Sequence, residues 1–271
     1  LAISLGSLKR SGNTRPPLMI IYGASGLGKT TLACGAPDPV VAWVEDGAGL
    51  LQVPGWKIET FADLMTAVGQ LYQEEHEYKT LVIDSLDWLE RLIWAHLCEI
   101  NKWGSIEDPG YGKGYAAAVS IWRECLEGLN ALRSDRQMMI LCTAHTEIKR
   151  FDSPETEPYD RYQIKLHKLA AALVMEAADI IGFLTHKVSI AKSDGGFGKK
   201  IARGVGGSER VLYLEERPAS SGKNRYGMPS SITIPSLEQA WSRPSEVWDH
   251  LGKHIPVLGN TATVTTPTEE G

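Results

Sequence analysis

A chain of 271 residues is long enough for one large α/β domain or two small ones around a buried core. Its 28 basic against 33 acidic side chains leave a formal net charge of −5. That excludes a polycation that holds nucleic acid by bulk charge, so any such site must be a local basic patch or be assembled by oligomerisation. No apolar run is long enough to span a bilayer, and no charged-then-apolar leader opens the chain, which starts at Leu1 rather than Met. Cys34, Cys98, Cys125 and Cys142 form no CxxC pair and lie in apolar stretches, which predicts buried free thiols in a reducing, cytoplasmic compartment.

In chain order, residues 1–17 read as a polar arm, and Leu18 to Tyr22 as a short buried strand. A glycine-rich loop follows, then a helix from about Lys29 and a second strand over 39–44. Thr60 and Asp63 have capping-box spacing, and Phe61, Leu64, Met65, Val68, Leu71 and Tyr72 repeat with helical period, so a helix is predicted there. Thr80 to Ile83 is the third strand, and 85–100 a helix with Leu86, Leu89, Ile93, Leu97 and Ile100 on one face. Residues 101–114 form a glycine-rich loop, 115–132 a long helix, and Met138 to Ala144 another strand. A polar loop over 146–165 precedes a helix around 166–178. Strand-like segments near 180–190 and 210–215 are joined by a Gly- and Lys-rich stretch, with a hairpin turn at Asp194-Gly195-Gly196 beside Lys192, Lys199, Lys200 and Arg203. The alternation predicts an α/β fold with a mostly parallel twisted sheet and helices on both faces. The expected organisation is an arm over 1–17, one core over 18–255 and a flexible tail over 256–271.

Residues 23–30, Gly-Ala-Ser-Gly-Leu-Gly-Lys-Thr, match GxxxxGK[ST] between a strand and a helix. This spacing suits phosphate: backbone N–H groups wrap it, and the following helix aims its positive end at it. Gly23, Gly26 and Gly28 permit backbone shapes that a side chain would block. Ala24, Ser25, Leu27 and Thr31 complete the predicted nucleotide-binding set. Lys29 is expected on the β- and γ-phosphates of ATP, and the Thr30 hydroxyl on Mg²⁺. Asp84 ends the apolar run Thr80-Leu81-Val82-Ile83, at the strand edge where ligands bind, and is the second expected Mg²⁺ partner; a helix cap is the plainer role for it. Glu45 follows another strand end and is the candidate to orient the attacking water, with Asp46 second. His145 ends the strand 138–144, where a polar residue can touch the γ-phosphate or be a satisfied histidine.

Leu81-Val82-Ile83-Asp84-Ser85 and Val44-Glu45-Asp46-Gly47 together resemble the RecA-like recombinase core. More closely, Gly23–Ala33, Val44–Leu51, Thr80–Leu97, Leu141–Arg150 and Lys223–Pro229 resemble the compact phage ATPases that consist of little more than that core, some of which are single-strand annealing proteins. The resemblance spans about residues 15–235. It implies that Glu45 is the catalytic glutamate and that His145 stands where the family carries a γ-phosphate sensor, often glutamine. It also implies that Lys223 and Arg225 reach a neighbouring subunit's ATP as trans-acting fingers; a basic turn before Pro229 is the plain alternative. Two loops would hold single-stranded DNA. One, at 103–115, is made mobile by Gly110, Gly112 and Gly114 and carries Trp103, Tyr111, Lys113 and Tyr115, with Lys102 just before it. The other, at 147–164, carries Lys149, Arg150, Phe151, Arg161 and Tyr162, with Lys165 just after. Asp152, Glu155, Glu157 and Asp160 weaken the second loop's positive field.

The implied partners are single-stranded DNA, further copies of the chain in a filament or ring, and a single-strand-binding protein, with no membrane. The short stretch before the loop makes annealing the expectation rather than full strand exchange. The competing expectations are a helicase-like or loader ring motor and a nucleotide-dependent module that recruits a partner.

Overall fold

The computed structural model describes residues 15–46, 51–152, 157–194, 200–234 and 245–255. The arm (apart from its last residues), the tail and the Gly195-Gly196 turn lie outside these. So do the side chains of Lys192, Lys199, Lys200 and Arg203.

The strands are β1 (Leu18–Gly23), β2 (Pro39–Trp43), β3 (Gly55–Lys57), β4 (Thr80–Asp84), β5 (Met139–Phe151), β6 (Tyr159–Ile164), β7 (Ile180–Asp194), β8 (Lys200–Tyr213), β9 (Lys223–Asn224) and β10 (Ser231–Ile234). The helices are α1 (Lys29–Cys34), α2 (Phe61–Gln73), α3 (Leu86–Asn101), α4 (Lys113–Asp135), α5 (Lys168–Ala177) and α6 (Ser245–Gly252). The sheet order is β10-β8-β7-β1-β5-β4-β2-β3, with β6 on β5 and β9 on β7. From β7 to β3 every pairing is parallel; β6, β8, β9 and β10 add on antiparallel. This is the mostly parallel α/β fold expected.

Successive strand residues point to opposite faces, and on β1 both faces are buried. Leu18, Ile20 and Tyr22 pack with α2, α3, α4 and α5. Met19 and Ile21 pack with α1 and with Val247, Trp248 and Leu251 of α6. The capping box of α2 forms: Asp63 N–H donates to Thr60 Oγ1 at 3.1 Å, and Thr60 N–H donates to Asp63 Oδ2 at 2.8 Å. Cys34, Cys125 and Cys142 are buried, and all four thiols are free.

Two expectations need correction. The polar loop at 146–165 is a hairpin: β5 runs on to Phe151 and pairs with β6 from Thr146↔Ile164 to Phe151↔Tyr159. Its alternation of Ile148 with charged residues is a two-stranded pattern with little to bury, which hid the strand. Next, the glycine loop is tied down. Ser105 Oγ donates to Asp108 Oδ1 at 2.8 Å, and Ile106 is buried. Gly114 lies inside α4, where a Cβ would meet the Ile106 carbonyl at 1.8 Å. The hairpin expected around Asp194 is present, β7 and β8 pairing antiparallel as far as Asp194↔Lys200.

At the amino edge of the sheet, Arg133 is fully buried. It donates to Pro16 O at 2.8 Å, to Asn130 Oδ1 at 2.8 Å and to Asp179. Removing one partner strands a buried charge. Asp179→Ala is therefore expected to cost about 3–5 kcal/mol of stability, read by urea unfolding. A loss below about 1 kcal/mol would show the pair to be no more than a surface-like contact.

Candidate functional site

The loop between β1 and α1 is built as a cradle. Gly23 packs so closely that a Cβ would meet Leu184 O at 2.3 Å. Gly26 and Gly28 hold φ of 78° and 75°, which L side chains rarely adopt. Ala24, Ser25 and Gly26 are exposed, while Leu27 is buried beneath them. Arg210, on β8, donates to Leu27 O at 2.5 Å and fixes the loop from below. Lys29 is buried, and its Nζ folds back to Ala24 O at 3.0 Å. Burial lowers its pKa, with Asp84, Asp87 and Glu45 acting the other way.

Parallel register brings the other candidates to the same edge. Gly23 pairs with His145 across β1 and β5, and Trp43 with Asp84 across β2 and β4. The amides of Val44 and Glu45 both donate to Asp84 O at 2.9 Å, which carries Glu45 over the end of β4. Thr30 Oγ1 donates to Asp84 Oδ2 at 2.9 Å, and Thr143 donates to the other carboxylate oxygen. A hydroxyl and a carboxylate this close are hard oxygen donors of the kind Mg²⁺ takes, and the exposed cradle beside them suits its phosphate partners. The chain's residues therefore fit a nucleotide with Mg²⁺.

Asp87, on the first turn of α3, is absent from the sequence reading. It looked like an ordinary first-turn acid, yet it organises the edge. Its carboxylate accepts from Ser85 Oγ at 3.0 Å, from the His145 amide at 3.0 Å, and from His145 Nδ1 at 3.0 Å. Burial pushes the Asp87 carboxyl up, but the hydrogen bonds and charge of His145, with Ser85, outweigh it and hold it at about 2. Ser85 also donates to Glu45 Oε2 at 3.2 Å, and His145 Nδ1 lies 3.9 Å from that same oxygen. Glu45, Ser85, Asp87 and His145 thus form one connected set next to Asp84 and Thr30. The Asp84–Ser85 peptide is cis.

Lys223 and Arg225 lie elsewhere. β9 pairs with the start of β7, with Ile181 opposite Lys223, at the edge far from the cradle. Lys223 Nζ donates to Met175 O and Glu176 O at 2.9 Å, closing the end of α5, and Arg225 Nη1 donates to Asp179 Oδ1 at 3.2 Å. Within one chain these two do not join the nucleotide site.

The cations and rings named for DNA divide. Arg161 is buried and ion-paired with Glu216, so it is corrected out of the exposed set. Trp103 packs on the core, and Phe151 lies under the Arg161 guanidinium. Lys102, Tyr111, Lys113 and Arg150 are exposed. Tyr115, Lys149 and Lys165 come together in one cleft of about 300 Å³, with Asp87, Glu90, Arg91, Trp94, Glu147, Leu166 and His167. Tyr115 stacks on His167 at 4.3 Å between ring centres, and Trp94 meets Tyr115 edge-on. Sequence reading missed Glu90, Trp94 and His167, because helical Glu and Trp positions carry no motif.

Glu90 is 4% exposed and accepts the His167 amide on both oxygens, at 3.0 and 3.1 Å. Burial pushes its carboxyl up to about 7; the His167 amide opposes this, Asp87 and Glu147 add to it, and Lys149 opposes it. A carboxyl raised on folding contributes stability that is whole below its ordinary range and is lost as pH rises towards about 7. Glu90→Gln is therefore expected to gain on the wild type between about pH 5 and pH 8, measured as unfolding midpoints in urea. Parallel pH profiles for the two proteins would remove Glu90 as the titrating group.

A family profile described as an AAA domain matches residues 15–226. No curated protein matches the chain. Among solved structures, the RadB recombinase crystal structure aligns with a TM-score of 0.43 and 14% identity, over 81% of this chain and 87% of that one.

Proposed function

The chain belongs to the AAA domain family, matched over residues 15–226, and from that premise we propose that it is an ATPase that binds single-stranded DNA and promotes annealing of strands in recombination, in the manner of the compact phage proteins with a RecA-like core. Asp87 carries the reading. One carboxylate holds His145 at the nucleotide edge and also lines the cleft where Tyr115, Lys149 and Lys165 meet. A shift of His145 toward or away from a bound γ-phosphate would be transmitted through Asp87 and α3 to that cleft.

In this reading Lys29 and the loop amides bind the phosphates. Thr30 and Asp84 hold Mg²⁺, which when bound offsets the charge on the phosphate oxygens. Glu45 takes the proton of the attacking water, with Ser85 and His145 fixing its carboxylate. The protein works in the cytoplasm as an oligomer, alongside a single-strand-binding protein. No helix among the described residues is long and apolar enough to cross a membrane.

The test is ATP hydrolysis with and without single-stranded DNA across a salt series. Stimulation that fades steeply with salt supports coupled sites. Hydrolysis indifferent to DNA, with no DNA bound in a non-hydrolysable ATP analogue, transfers the reading to a ring motor or a partner-recruiting module.

The trans-finger idea has its own test. Lys223 and Arg225 already hold α5 and Asp179, so each variant needs a stability control. A Lys223→Ala/Arg225→Ala protein is expected to bind nucleotide but turn over poorly, and to regain activity when mixed with Glu45→Gln. No recovery, with both proteins folded, would leave the two side chains as structural.

A further inference from the structure

The cleft beside Asp87 is unusual in its layering. Its floor is two buried carboxyl groups: Glu90 is 4% exposed and Asp87 6%. Its walls are flat rings, Trp94 and the Tyr115–His167 stack. Its rim holds the exposed cations Arg91, Lys149 and Lys165. Lys149 shares its charge with Glu147 at 2.7 Å, whereas Lys165 makes no ion pair among the described residues.

Each layer restricts the occupant. Above about pH 7, where Glu90 is ionised, carboxylates at the floor reject an anion or a bare carbonyl and favour an amine that donates. Rings at the wall require a flat partner that can stack. Cations at the rim require negative charge on the parts of the ligand that remain outside. A planar ring bearing an amino group, flanked by phosphates, meets all three.

We propose that this cleft takes one unstacked, amino-bearing base of a single strand, with the base's exocyclic amine donating to Glu90, its face on the Trp94 and His167 side, and its flanking phosphates on Lys149 and Lys165. This rests on the single-strand reading and adds a base preference to it. Cytosine, adenine and guanine carry the amine; thymine has none, and its single ring N–H lies between two carbonyl oxygens that would face the carboxylate. Each Glu90 oxygen keeps a lone pair beyond the one that takes the His167 amide, so the base need not displace that contact.

The experiment measures binding of equal-length dC and dT oligonucleotides to the full chain at about pH 8.5, where Glu90 is ionised, in a non-hydrolysable ATP analogue, for wild type and Glu90→Gln. Gln keeps an acceptor for the His167 amide, and its amide group tolerates carbonyl and amine alike. The expected result is about a tenfold preference for dC in wild type that falls to near parity in E90Q, with dT affinity unchanged or higher. Equal affinity for dC and dT in wild type overturns the base pocket while leaving strand binding intact. A dC preference that survives in a folded E90Q overturns the role of Glu90. Should E90Q not fold, Trp94→Leu is measured in its place, and an unchanged preference there overturns the proposal too. Competition with free dCMP and dTMP identifies the source: displacement of the strand by dCMP alone at similar concentration marks a mononucleotide site and overturns the strand assignment. Binding to neither oligonucleotide overturns this inference together with the strand reading.

Discussion

Replacing Lys29 with Ala is expected to abolish ATP hydrolysis and weaken nucleotide binding without unfolding the protein. Lys29 is 7% exposed; its ammonium contacts Ala24 O and forms no ion pair among the described residues. A buried cation with so few partners is costly to the empty fold. Its return comes only when phosphate oxygens enter the exposed stretch Ala24–Gly26. Alanine removes both the cost and the return. The unliganded variant should therefore melt no lower than wild type, while the rise in Tm that ATP gives the wild type should vanish. Turnover should fall by at least about a hundredfold, the scale seen when one preorganised charge at a reacting centre is lost. A variant that keeps full turnover would overturn the phosphate-loop assignment. One that melts well below wild type when empty would make Lys29 a structural residue.

The parts of this site that could be read from sequence are those where one residue type is required at one spacing. The loop glycines, Lys29 and Thr30 sit in a continuous motif, and Asp84 ends an apolar run, so strand periodicity alone places it at the sheet edge. Glu45 and His145 were legible for the same reason. Asp87, Ser85 and Thr143 contribute through pairings across β4, β5 and α3 that have no linear spacing. The hairpin of β5 and β6 was missed because its outer residues are solvated and its inner ones few, so alternation carried little hydrophobic contrast. Arg161 shows the opposite error. Beside aromatic and basic neighbours it looked like a DNA-facing cation, but Glu216, 55 positions away, draws it inside. Long-range ion pairs are invisible to any local window.

Glu45→Gln separates binding from chemistry at the same site. Glu45 is half-buried and accepts from Ser85 Oγ at 3.2 Å, with His145 Nδ1 at 3.9 Å. Glutamine matches its shape and can still accept from Ser85, so the edge should keep its geometry. What it loses is the ability to take a proton from water, a contribution of about 10²–10⁴ in rate where a positioned base acts. ATP should therefore bind as in wild type and persist unhydrolysed. If the cleft responds to the nucleotide through His145 and Asp87, the persistent ATP state should also hold DNA, so strand dissociation from E45Q in ATP should match that of wild type in a non-hydrolysable analogue. Turnover within about threefold of wild type would take the base role from Glu45, leaving Asp46 as the remaining acid of that turn. Lost turnover with rapid strand release would keep Glu45 as the base but break the link to the cleft. The route through Asp87 would then need Asp87→Asn as its own test, since that change keeps an acceptor for the His145 amide while removing the charge that holds the imidazole.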